Sequence, residues 1–451
     1  MNLRRHAPLT LACLLCVAAW AQEFKPFAVS SDATADKPQS KCWFHDGSWW
    51  AILSDGVDGA RFYRLGDDGD GLAWSAPVFA DALVASGARV RVDVVADGDL
   101  LTVLAWEGEK LTLHKYTYEA SSGFYRRALA DAPVALPPPP PPVPSVSLGV
   151  LPTPPGLPGL PGIPSSSVPA VGFLPPAPGS LPPPVTPAAP RFAAAPLRID
   201  LPAGHETATV AVDTRGRAWV TAVVAGDVLV TAPGVSRVPT VLASGLNDDD
   251  ISAVVAFGGR VGVFWSNQNA QSLGFRYRDA ADPLGDWRPA EVVARGGHVA
   301  DDHINIAVAS DGTLYVVTKT SVDDVPRPVD GPTQAQIILN VRTPAGVWSM
   351  ADVAPVSEVF TSRPIVVLDE DHARLYVVYR HGDEIVYRSS ARASIDFSAP
   401  ARVALSAAGV TLRNVTSAKS GVHASTGLLI VATGSDGRAY SAVLPLSPNG
   451  S

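Results

Sequence analysis

Apolar residues along this chain fall in short runs, many of them β-branched, with tight polar turns between them. No apolar stripe of helical period runs for a useful length. The clearest instance is DDHINIAVASDGTLYVVTKTS, residues 301–321. A polar start leads into an apolar strand, a Ser-Asp-Gly turn, a second strand rich in β-branched and aromatic residues, and a polar end. Asp-Gly between two apolar runs is the strongest short-range signal for a β-hairpin. The same plan returns along the chain, with second strands such as RVGVF, TLYVV and RLYVV.

These hairpins group into repeats. The first holds residues 41–44, the turn His45-Asp46-Gly47, 49–53 and 60–65; the second holds 90–95, Asp97-Gly98, 100–105 and 111–118. Beyond residue 190 come 207–212 with 218–224, then 251–256 with 260–265, then 301–321 extended by 337–342 and 347–353. The last two are 364–368 with 374–379 and 384–389, and 414–417 with 427–432 and 438–444. Seven units of about 50 residues, each with up to four short strands, predict an all-β fold, a seven-bladed β-propeller. The last unit has three strands, which would leave an unpaired edge. The segment 23–30, EFKPFAVS, alternates but has no hairpin partner beside it. It is expected to supply the fourth strand and close the ring.

Residues 133–190 interrupt the pattern, holding 23 of the chain's 42 prolines. Such a stretch can neither form ladders nor pack a core, so it reads as a polyproline II or disordered insertion between blades 2 and 3. Residues 1–21 read as a secretory signal, with Arg4 and Arg5, an apolar stretch from Leu9 to Ala19, and Ala19-Trp20-Ala21 as the cleavage site. No later segment is apolar enough to cross a membrane. The expected organisation is a signal peptide at 1–21, blades 1 and 2 with the closing strand at 22–132, the insertion at 133–190, and blades 3–7 at 191–451. The expected location is outside the bacterial cytoplasm, secreted or periplasmic, and a monomer is expected. Once Cys13 and Cys16 leave with the signal, Cys42 remains alone, so no disulfide forms. Within Lys41-Cys42-Trp43-Phe44 it reads as a buried small hydrophobe. A net charge of −8, with no clustered basic stripe, argues against a nucleic-acid surface.

At this level the units resemble those of the BNR/sialidase-like propeller superfamily. Asp/Gly-then-Trp turns at residues 67–74, 282–287 and 343–348 are similar to Asp-boxes, although none keeps the S-x-D-x-G-x-T-W spacing. WSNQN (265–269), ADDHIN (300–305), VVTKTS (316–321), SRPIVVL (362–368) and RNVTSAK (413–419) also look like segments of secreted bacterial propeller proteins that carry no assigned activity. The resemblance implies the fold. Sialidase chemistry is not implied: that family offers an Arg-Ile-Pro motif, three arginines gripping a carboxylate and a Tyr/Glu nucleophile pair. The first is absent here, and the last cannot be assigned from spacing.

Propeller topology itself locates a candidate site. The innermost strand of each blade starts on the face where the second strand ends. Residues just before strand one and just after strand two therefore gather around one mouth of the central channel. The strand-one starts bring Arg89, Arg91, His205, Glu206, Asp249, Asp250, Asp302, His303, Asn305, Arg363, Arg413 and Asn414; the strand-two ends add Trp106, Glu107, Trp265, Asn267, Lys319, Tyr379 and Arg380. Sugars are held by paired hydrogen bonds from Asp, Asn, Arg and Lys beside an aromatic platform, so a carbohydrate or another polar or anionic small ligand is the expected partner. Asn267, Asn305, Lys319, Arg363, Arg380, Arg413 and Asn414 would bind it, with Trp265 as the platform. Asp249 or Asp250 with Asp302 would be the carboxyl pair of a glycoside hydrolase. In a lyase, His303 or Tyr379 would be the base and Arg363 would neutralise a uronate. A non-catalytic envelope adaptor that binds a protein is the alternative. Asp248-Asp249-Asp250 and Asp301-Asp302 offer oxygen ligands suited to calcium. The spacing of a dedicated calcium loop is missing, and no cofactor is expected.

Overall fold

The computed structural model describes residues 22–128 and 196–449, apart from positions 36, 68, 70, 71, 109, 203, 237 and 359. The expected signal segment and Pro-rich insertion lie outside the described residues. The strands form seven antiparallel sheets, the blades of a seven-bladed β-propeller. No helix occurs among the described residues, and hence none long and apolar enough to cross a membrane. The innermost strands are Cys42–His45, Arg91–Asp97, Ala208–Val212, Ser252–Phe257, Ile304–Val308, Thr361–Asp369 and Leu412–Thr416.

Strand alternation is what holds neighbouring blades together. Successive side chains point to opposite faces of a sheet, and here both faces are covered by other blades. In the second strand of blade 5, Leu314–Lys319, Leu314 and Val316 pack with blade 4, while Tyr315 and Val317 pack with blade 6. Burial on both faces explains why such strands read as continuous apolar runs. The tryptophans of the Asp/Gly-then-Trp turns point inward and bridge neighbouring sheets. Trp74 of blade 1 donates Nε1–H to Ser441 Oγ of blade 7 at 2.8 Å, and Trp287 stands edge-on to Trp219 at 6.0 Å. The hairpin of blade 1 turns on Asp46 and Gly47, both with positive φ (46° and 71°), the type I′ geometry that suits strand twist.

Gln22–Ala28 runs antiparallel to Arg438–Leu444 as the outermost strand of blade 7. Blade 1 begins at the channel, so the chain must then cross from the outside of the ring to its centre. Residues 29–41 make that crossing with mostly small side chains, and their backbone is tied on both sides. Val29 N donates to Gly437 O at 3.1 Å, Ser30 N to Ser54 O at 2.9 Å, and Thr34 N to Thr433 Oγ1 at 3.3 Å. At the channel they meet the fully buried Asp93 of blade 2. Its Oδ1 accepts from Ser40 N at 2.8 Å, and its Oδ2 accepts from Val210 N at 2.8 Å and from Lys419 Nζ. One carboxylate thus joins the crossing segment, blades 2 and 3, and the loop that follows the inner strand of blade 7. Nearby Cys42 is buried, and burial pushes its thiol up to about 12, which leaves it unreactive.

Candidate functional site at the channel mouth

The chemistry gathers where blades 5 and 6 open onto the channel. The loop before Ile304–Val308 is zipped to the end of the second strand. Ser321 N donates to His298 O at 2.8 Å, Ser321 Oγ to Ala300 O at 2.5 Å, and Lys319 N to His303 O at 3.2 Å. That zipper fixes Asp301, Asp302 and His303. His303 Nδ1 is hydrogen bonded to Asp301 Oδ1 at 2.6 Å and lies 2.5 Å from Asp302 Oδ1, while Nε2 lies 3.1 Å from Ser362 Oγ of blade 6. Ionised carboxylates only accept hydrogen bonds, so Nδ1 carries the proton and the Nε2 lone pair faces the serine hydroxyl.

Two ammonium groups contact these carboxylates and two more. Lys319 Nζ reaches Asp301 Oδ2 at 2.6 Å, Thr320 O at 3.1 Å and Asp323 Oδ1 at 3.3 Å. Lys37, from the crossing segment, bridges Asp302 and Glu206, the latter at 2.9 Å. Burial raises the Asp301 carboxyl, but its bonds to His303 and Lys319 outweigh that and hold it down at about 2. Burial lowers His303 to about 4 against the opposing pull of Asp301, and the nearby charges of Lys37 and Arg363 add to the lowering. The imidazole is therefore neutral at pH 7. Asp301, Asp302 and His303 also bring three metal-ligand atoms together. Lys37 and Lys319 already occupy the two carboxylates, and one nitrogen with two carboxylates falls short of the six to eight oxygens calcium takes. The set does not fit calcium.

Next to this cluster the backbone is bent. The ladder of blade 6 slips between Ser362 and Ile365, and that of blade 7 between Arg413 and Thr416. Inside these bulges Arg363 (φ 55°) and Asn414 (φ 53°) take left-handed conformations, which non-glycine residues adopt at a cost and chiefly where a site demands it. Ser362 pairs across the sheet with Arg380. Burial, with the like charges of Arg413 and Arg363, lowers Arg380 against the pull of Asp383. The strands that carry the three, Thr361–Asp369, Arg374–His381 and Leu412–Thr416, pack on one another. None of the three makes an ion pair among the described residues. The Asn414 side-chain oxygen is buried without a protein hydrogen-bond partner among them.

The other expected site residues sit elsewhere or are engaged. Trp265 packs between blades 3 and 4 over Gly274, where an added Cβ would come within 2.4 Å of the ring, so it offers no platform. The half-buried aromatic at this mouth is Trp106, with the Arg91 guanidinium 5.1 Å and the His205 ring 4.9 Å from it. Tyr379 is fully buried, its hydroxyl bonded to Glu358 and Arg388 at 3.0 Å each, and burial raises its pKa. Asp250 is buried and anchors a turn, accepting from Asn247 N at 2.7 Å and Gln268 N at 3.0 Å. Asp249 is exposed, and its N–H donates to Asn247 Oδ1 at 3.1 Å. Asn267 Oδ1 caps its hairpin through Ala270 N at 2.8 Å, and Asn305 Oδ1 stitches blade 5 to Val366 N at 3.0 Å. Ser362 and Lys37 were not among the sequence candidates, and Asp301 was named only as an oxygen ligand suited to calcium. A cavity of about 250 Å³ lies along the inner strands, lined largely by apolar residues such as Val94, Val210, Val254 and Ile306, with Pro38 and Lys419 also on its wall.

No family model matches this chain, and no curated protein matches it. Among solved structures, it is similar to the polysaccharide lyase Uly1, at 8% identity over 91% of this chain and 90% of that one, TM-score 0.44. It is also similar to the Cps50 (Swd1) β-propeller domain of Myceliophteria thermophila, at 10% identity over 94% and 99%, TM-score 0.45. A prolyl endopeptidase aligns at 10% identity over 93% of this chain and 52% of its own, TM-score 0.41, so the chain spans about half of its length. At these identities the likeness is confined to the fold.

Proposed function

We propose that this mouth binds an acidic carbohydrate, a glycan bearing uronate or sialate carboxylates, in a propeller exported from a bacterial cell. The observation that carries this reading is the packing of the three strands that bear Arg363, Arg380 and Arg413, none of which makes an ion pair among the described residues. Like charges held close are unfavourable alone, and an arriving carboxylate relieves them through charge-assisted, bidentate hydrogen bonds. The buried, unpartnered oxygen of Asn414 awaits a donor such as a sugar hydroxyl. Three arginines on one carboxylate is also what kinship with sialidase-like propellers would lead one to seek, and that kinship belongs to the proposal.

Titration against uronate and sialate polymers, with neutral glycans as controls, tests the reading. Arg413→Ala and Arg363→Asn, which keeps a residue tolerant of positive φ, should each weaken binding about a hundredfold by removing a charged contact. Arg413 is exposed, and exposed polar substitutions change stability by about half a kcal/mol, so its variant should melt within a few degrees of the unaltered protein; the half-buried Arg363 should lose only a little more. Equal binding of neutral and acidic glycans would refute the role of the arginines, and binding of none would favour the envelope adaptor instead.

A further inference from the structure

Binding does not account for the line Ser362–His303–Asp301. A hydroxyl, a neutral imidazole and an ionised carboxylate stand in series across the boundary between blades 5 and 6, at 3.1 Å and 2.6 Å. We propose that this series is a nucleophile–base–carboxylate relay and that the mouth hydrolyses carboxylic esters, the O-acyl groups of small polar molecules. The proposal goes beyond glycan binding and does not depend on it.

Each part has the state that acyl transfer needs. The Asp301 carboxylate accepts from Nδ1–H, which leaves the Nε2 lone pair on the serine side, and Lys319 holds Asp301 from behind at 2.6 Å. Orientation of the base by a third group is the feature that distinguishes a relay from an isolated hydrogen bond. Ser362 is half-buried, in front of the buried His303. It sits at the bulge, next to the left-handed Arg363 and opposite Arg380. Bulges beside active sites re-aim side chains, and the neighbouring guanidiniums supply positive charge where a tetrahedral oxyanion would develop.

The chemistry closes with water as the second reactant. Ser362 Oγ passes its proton to His303 Nε2 and bonds to the acyl carbon, while the carbonyl π pair moves onto oxygen. Collapse breaks the ester C–O bond, and the departing alkoxide takes the proton from Nε2. A water then gives its proton to Nε2 and attacks the acyl carbon. The second collapse frees the carboxylic acid, and Ser362 Oγ recovers its proton. The sum is ester plus water to alcohol plus acid. Asp301 and Lys319 act as positioning residues.

The test uses a fluorophosphonate, which bonds covalently to activated serines, and p-nitrophenyl acetate as the ester, both with the full-length protein. Mass spectrometry should find the phosphonate on Ser362. Ester hydrolysis should fall about 10²–10⁴-fold in Ser362→Ala and on phosphonylation. Asp301→Asn should lower kcat with little change in KM, a pattern that loss of structure alone would not give. The absence of an adduct on Ser362, or full hydrolysis by Ser362→Ala, overturns the proposal. If Asp301→Asn does not fold, the adduct on the unaltered protein still decides. The adduct forms without any glycan present, so a failure of the binding reading would leave it in place and the two readings fail separately.

Discussion

His303 makes the fold sensitive to acid in a definite direction. In the unfolded chain a histidine titrates near 6.5, whereas burial holds the folded one near 4. Between these values the unfolded chain binds the extra proton, so stability should fall as pH drops through that window. Asp301 adds a lower step. Its folded value near 2 gives stability that is present above the ordinary carboxylate range and lost as pH falls toward 2. The groups facing His303 are Asp301, Asp302, Lys37, Arg363 and Ser362. Urea unfolding at pH 7 and pH 4.5 should show a loss in the unaltered protein that is smaller in His303→Gln; equal losses would refute the assignment. Residues also mark how far the sequence could be read. Val261, Val263 and Trp265 share one phase of their strand and one core cluster, as do Leu375, Val377 and Tyr379. That phase, followed to the end of each strand, would have put both aromatics in the core rather than at the mouth. Ser362 and Lys37 carry no such sign, because a hydroxyl in a T-S-R-P run and an ammonium in a polar connection look like ordinary loop residues.

Elements were readable in proportion to their burial. Inner and middle strands are covered on both faces and so appear as apolar runs. Outer strands such as Leu72–Ser75, Thr240–Ser244 and Arg402–Leu405 mix exposed and buried positions and give almost no signal. The outer edge of blade 2 is shared by two short segments, Phe124–Arg127 and Leu197–Ile199, either of which alone is too brief to recognise. The bulges were invisible for a different reason: they depend on register between two strands, which one strand's pattern does not encode. Gln22–Ala28 is the outer strand whose loss would be felt most, since removing it bares the edge of Arg438–Leu444. Phe24 is its buried anchor, 7% exposed. Phe24→Ala should cost about 3 kcal/mol in chemical denaturation, and a variant lacking the strand should self-associate in light scattering. A soluble, undiminished truncated protein would show that three strands suffice for blade 7.

Across the whole ring, the crossing segment supplies part of the mouth as well as its route to the channel. Lys37 spans from Glu206, at the start of blade 3, to Asp302, before blade 5. Lys37→Met should strand both carboxylates. Breaking a buried pair costs about 3–5 kcal/mol; the partners here are 33% and 25% exposed, so a loss near the lower end of that range is expected in thermal melts. An unchanged melting temperature would show the bridge to be idle. The order of the chain gives this bridge a further meaning. Lys37 precedes every blade, yet the backbone that carries it is tied to Gly437 and Thr433 of the last one. A chain still lacking blade 7 loses these two ties and keeps the segment through Ser54 of blade 1 and Asp93 of blade 2. The mouth is therefore fully braced only once the first strand and the last blade have met, so a clipped copy should hold Lys37 more loosely.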